Sequence, residues 1–129
     1  MLENRQYDAA IKAYATAAEL APTNALILGG YGRSLLVTNT KTNNKVALRI
    51  LQKARRQDKR DARILRDLGT ALARAGKKGQ SILAIAERYA LLGDLKNATL
   101  QATKAESLLS RGSPAWQRAQ DILDTTKVP

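Results

Sequence analysis

The chain has 129 residues, no cysteine and no histidine, and a formal net charge of +11 from 22 Lys and Arg against 11 Asp and Glu. That length fits one compact unit, and the missing Cys and His exclude a disulfide framework, a thiol nucleophile and a thiolate or imidazole metal site. No apolar run approaches the ~18 residues of a membrane span, and the N-terminus lacks the basic, apolar, small-residue order of a signal peptide.

The 44% hydrophobic content is mostly Ala and Leu with no Phe, a composition for closely packed helices rather than sheets. A first helix is expected over Glu3 to Ala21, stopped by Pro22. It carries Ala10-x3-Tyr14 and Ala17. Thr23 or Asn24 can cap a second helix over Ala25 to Val37, which holds Leu28-x2-Tyr31-Gly32-x2-Leu35. Thr38 to Asn44 reads as a polar loop. A third helix, Lys45 to Gln57, carries Ala47-x3-Leu51 and Ala54.

Asp61 is a cap for Ala62 to Ala75, with Leu65-x2-Leu68-Gly69-x2-Leu72, and Gly76 supplies a left-handed stop. Gly79 to Leu92 follows, and its Ile82-x2-Ile85-Ala86-x2-Tyr89 makes it a helix shared between two neighbours. Gly93-Asp94 turns the chain into Leu95 to Leu109, with Ala98-x3-Ala102 and Ala105. Ser113 caps and Pro114 opens a last helix with the stripe Trp116, Ala119, Ile122 and Leu123.

These patterns resemble the tetratricopeptide repeat (TPR), a helix-turn-helix unit of about 34 residues with W-x2-L-G-x2-Y in its first helix and A-x3-F and Pro in its second. Leu28 and Leu65 lie 37 positions apart, as do Ala10 and Ala47, so two units recur. The expected fold is all-α, a single TPR-like domain over 1–129 forming a right-handed array of antiparallel helix pairs. The last helix caps the open end, as repeat arrays require. Because Tyr7 to Pro22 reads as a second helix without its first, the chain is expected to be a C-terminal fragment, able to self-associate through the uncovered face of its first helix.

The segments Ile85 to Leu95 and Gly112-Ser113-Pro114-Ala115-Trp116-Gln117-Arg118-Ala119-Gln120-Asp121-Ile122-Leu123 resemble the C-terminal repeat region of bacterial periplasmic zinc metallopeptidases, the group that includes the β-barrel assembly-enhancing protease. The resemblance implies a parent with a secretory signal and a zinc-binding H-E-x-x-H domain, placing the protein in the periplasm. It also implies a repeat domain that holds protein partners in the service of outer-membrane protein assembly or quality control. None of the family's catalytic residues has a counterpart in this histidine-free chain. The chain itself is expected to be non-enzymatic and to bind no cofactor or metal.

Two basic constellations stand out. Arg33, Arg63, Arg66 and Arg74 fall on faces that line the concave groove of such repeats, where guanidinium groups could clamp carboxylates of a peptide or of an acidic protein surface, including the parent's own catalytic domain. Lys45, Arg49, Lys53, Arg56 and Arg60 recur at spacings of three and four and form an outer ridge opposite Val46, Ile50 and Ala54. Between Lys45 and Lys78 stand 12 Lys or Arg and 3 Asp or Glu, which fits an anionic membrane, an acidic protein or plain solubility. Nucleic acid is disfavoured because no aromatic residue lies within that stretch to stack on bases.

Asp58, Asp61 and Asp67 read as caps or ion-pair partners, and Tyr7, Tyr14, Tyr31, Tyr89 and Trp116 as packing residues. A free-standing TPR adaptor or scaffold and, more remotely, a basic nucleic-acid-binding helical domain are the alternatives to the peptidase-associated interaction domain.

Overall fold

The computed structural model describes residues 2–127. Among these, seven α-helices and no strands are found: α1 (Leu2–Leu20), α2 (Ala25–Thr38), α3 (Lys41–Gln57), α4 (Ala62–Arg74), α5 (Lys78–Leu91), α6 (Leu95–Leu108) and α7 (Pro114–Thr126). The chain forms two compact units, residues 1–67 and 68–129, whose division falls inside α4.

Local chemistry sets the helix ends. Asn24 Oδ1 accepts from Ile27 N at 3.1 Å, Asp61 Oδ1 from Arg63 N at 2.9 Å, and Ser113 Oγ from Trp116 N at 3.2 Å. Each thus satisfies a backbone donor that a helix start leaves without a partner. Gly76 takes φ 76° after α4. There Lys77 N reaches Leu72 O and Gly76 N reaches Ala73 O, the paired bonds of a Schellman stop.

The connection from α2 to α3 differs from the expected loop over 38–44. Only Asn39 and Thr40 lie between the helices, and α3 begins at Lys41. Asn39 adopts φ 48°, a conformation that Asn tolerates better than most residues. Thr40 Oγ1 caps Asn43 N at 3.1 Å. Asn43 and Asn44 turn their amides back onto Thr38 Oγ1 and Asn39 Oδ1, at 2.8 and 3.0 Å. The polar run is a C-cap followed at once by an N-cap and a polar first helical turn.

In the first unit α2 packs on both α1 and α3. Leu28, Ile50, Ala54 and Ile64 form its buried cluster, with Ala18, Ala25, Tyr31 and Val46 against it. None of the described α1 side chains is buried. Tyr7, expected in the core, is 36% exposed. The 19-residue α1 outruns the 14-residue α2 it packs against, and the short turn joining them puts the overrun at the end that carries Tyr7.

In the second unit α6 packs on α5 and α7, and α7 also meets α5. The core is largely alanine: Ala86, Ala98, Ala102, Ala105 and Ala119 are fully buried beside Leu83. Alanines bring the helices close and leave no volume for an indole between them. Trp116, read from the sequence as part of the packed stripe, therefore sits half-buried at the edge of a surface depression with Glu106, Leu109 and Arg111. Tyr89 does pack on the core. Ser81 Oγ donates to Gly69 O at 2.7 Å, fixing α5 on the second half of α4, so α5 contacts both α4 and α6 as a shared helix should.

Candidate functional site

A cleft of about 340 Å³ opens in the first unit, lined by Tyr14 of α1, by Ala25, Leu26, Ile27, Gly29, Gly30 and Arg33 of α2, and by Asp61, Arg63 and Ile64 at the start of α4. Its shape follows from two glycines. At Gly30 an added Cβ would lie 2.6 Å from the Tyr14 ring, and at Gly29 it would lie 3.2 Å from Ile64 Cγ1. The absence of side chains on this face of α2 lets Tyr14 and Ile64 close in and form opposite walls.

Charge enters through Arg33 and Arg63. Arg33 Nε donates to Asp67 Oδ2 at 3.0 Å, and Asp67 Oδ1 also accepts from Arg66 Nε at 3.3 Å. The Asp67 side chain is 10% exposed, against 39% for Arg33 and 52% for Arg66. A carboxylate so removed from water is tolerated because both its oxygens are paired with cations. Asp67 holds Arg33 through Nε alone and leaves its terminal guanidinium nitrogens, four N–H donors, for another acceptor. Arg63 is exposed, and its side chain has no hydrogen-bond or ion-pair partner among the described residues.

The four arginines expected in one groove are thus distributed unequally. Arg33 and Arg63 line the cleft, and Arg66 is tied to Asp67. Arg74 is exposed on the portion of α4 that belongs to the second unit. Ile64, Leu65, Leu68 and Leu72 are buried as the α4 pattern requires. Lys45, Arg49, Arg56 and Arg60 of the outer ridge are exposed, and Lys53 is half-buried.

Two contributors escaped the sequence reading: Tyr14 forms a wall of the cleft, and Lys41 extends the ridge. Asp67, expected as a cap or an ion-pair partner, pairs with the neighbouring Arg66 and also with Arg33, and so bridges α2 and α4. The Gly29-Gly30 pair was the available signal for Tyr14, since consecutive glycines inside a helix mark a close approach. Nothing local pointed to Arg33 as a second partner of Asp67, since the two lie 34 residues apart.

Asp58 and Asp61 are occupied as caps, through Arg60 N at 3.0 Å and through Arg63 N and Ile64 N. Among the described residues no group of three or more His, Cys, Asp or Glu is placed to hold a metal ion, and no helix is long and apolar enough to cross a membrane. No protein-family model matches the chain, and no curated protein matches it either.

Proposed function

We propose that this chain is a non-catalytic protein-interaction domain of TPR type that holds an acidic, partly apolar peptide segment in the cleft of its first unit. The observation that carries the reading is the cleft itself. Two guanidinium groups with open donors, Arg33 and Arg63, stand beside Tyr14 and Leu26, and Leu26 is 70% exposed. A segment that pairs a carboxylate with a Leu- or Phe-like side chain would satisfy both, the carboxylate through charge-assisted hydrogen bonds and the apolar group by covering Leu26.

The parent in this reading is a periplasmic zinc metallopeptidase that serves outer-membrane protein assembly or quality control, with the present chain as its repeat region. Support comes from the segments Ile85 to Leu95 and Gly112 to Leu123, and from the helix-pair pattern repeated at Leu28 and Leu65. An open reading frame that lacks H-E-x-x-H upstream would leave the free-standing adaptor in its place.

Fluorescence anisotropy with a labelled peptide carrying Asp or Glu beside Leu or Phe tests the cleft. Binding is expected to weaken with salt and to be lost in Arg63→Glu and reduced in Arg33→Gln, with the helical circular dichroism unchanged. Binding that ignores both substitutions would refute the assignment.

A further inference from the structure

The outward face of α3 is a second surface, and its start at Lys41 changes its character. On an ideal helix of ~100° per residue, Lys41, Lys45, Arg49 and Arg56 fall within about 80° of one another, opposite Ala47, Leu51 and Ala54. Those three residues are fully buried. The four cations are exposed and are interrupted only by Gln52. At ~1.5 Å per residue they form a straight line about 22 Å long. Lys53 flanks it, and Lys59 and Arg60 continue it into the following turn.

No acidic residue occurs within α3. Asp58, the nearest along the chain, spends Oδ1 on the Arg60 backbone N–H. None of Lys41, Lys45, Arg49, Lys53, Arg56, Lys59 and Arg60 has an ion-pair partner among the described residues. The molecule pairs its charges elsewhere, at Arg33 with Asp67 and at Arg118 with Glu87 at 3.5 Å. A solvated helix face with no binding role usually carries both signs. This one carries a single sign, in a line.

We propose that this ridge docks the protein on an anionic phospholipid bilayer. Four like charges on a straight outer helix can reach a plane at the same time, and their aliphatic stems let the charged heads settle at headgroup depth. The apolar face of α3 is committed to its own fold, so attachment is by charge alone and reversible. Each Lys or Arg brought to such a surface strengthens adsorption about fivefold. Single-stranded nucleic acid fits less well, since no aromatic side chain lies between Tyr31 and Tyr89 for bases to stack on. The proposal is independent of the peptide cleft.

Co-sedimentation of the full chain with vesicles tests it, using phosphatidylcholine alone and phosphatidylcholine with roughly one-third phosphatidylglycerol. Binding is expected only to the anionic vesicles, at roughly 0.05 M salt and not at roughly 0.5 M, where screening shortens the reach of each charge. The variant Lys41→Gln, Lys45→Gln, Arg49→Gln and Arg56→Gln is expected to bind at least about a hundredfold more weakly. A control that neutralises four exposed lysines of the second unit, Lys77, Lys78, Lys96 and Lys104, is expected to lose far less, with unchanged helicity in both. Equal losses in the two variants would mean that net charge alone acts. Absence of binding to anionic vesicles, or duplex DNA that binds more tightly and is lost with the same ridge variant, would also overturn the proposal.

Discussion

Gly32 and Gly69 occupy the same place in the two copies of the Leu-x2-(Tyr/Leu)-Gly-x2-Leu pattern, yet replacing each by Ala is expected to act in opposite directions. An Ala Cβ at Gly32 would stand 2.5 Å from Leu51 Cγ and 2.6 Å from its Cδ2, far inside van der Waals contact. Leu51 is fully buried and cannot swing into solvent. Forced overpacking costs about 1–3 kcal/mol, and so deep an overlap belongs in the upper part of that range, about 2–3 kcal/mol, while Ala in a helix interior returns about 1 kcal/mol relative to Gly. The net expectation for Gly32→Ala is a loss of about 1–2 kcal/mol, or a Tm lower by roughly 3 to 10 °C.

At Gly69 the same Cβ would meet Ile85 Cγ1 at 3.5 Å, Ser81 O at 3.6 Å and Ala84 Cβ at 3.9 Å, which is ordinary contact. Gly69→Ala should therefore keep most of the propensity gain and raise stability by about 0.5–1 kcal/mol. Urea and thermal unfolding of the two single variants, followed by circular dichroism, provide the measurement. A Gly32→Ala protein as stable as the parent would show that Leu51 is not seated over that glycine. Equal destabilisation by both would show that the pattern needs glycine for a reason other than room for a neighbouring side chain.

Asp67→Ala removes the acceptor shared by Arg33 and Arg66 and is expected to cost about 1 to 2 kcal/mol, below the ~3–5 of a fully buried pair because both arginines can rehydrate; a double-mutant cycle with Arg33→Gln should show coupling, and strictly additive effects would refute the bridge. Thr40→Ala deletes the α3 cap and is expected to cost about 1 kcal/mol. Hydrogen exchange should report it as faster exchange at Asn43, with Thr40→Asp restoring protection, and unchanged exchange would place the start of α3 elsewhere.

Much of the fold was legible because the signals are local. The stop at Pro22, a cap at Thr23 or Asn24 that the structure gives to Asn24, the caps Asp61 and Ser113, the left-handed Gly76 and the alanine periodicity of α6 each depend on residues within a few positions of one another, so reading along the chain recovers them. The polar run 38–44 misled for a physical reason: Thr and Asn serve equally in loops, caps and polar first helical turns, and only the bonds from Asn43 to Thr38 and from Asn44 to Asn39 decide among these.

The candidate site was legible in part. Sequence periodicity alone placed Arg63, Arg66 and Arg74 on the face of α4 opposite Leu65, Leu68 and Leu72 and put Lys45, Arg49, Lys53, Arg56 and Arg60 on one ridge, of which Lys53 is half-buried, because a helix with one buried stripe turns the remaining residues outward. It could not tell which arginines share a cleft. That depends on Gly29 and Gly30 letting α1 and α4 approach α2, and on Asp67 drawing Arg33 across 34 residues while Arg63 keeps no partner among the described residues. Such choices belong to tertiary structure, since they are made by whichever surfaces the packed helices bring within a few ångströms of each other.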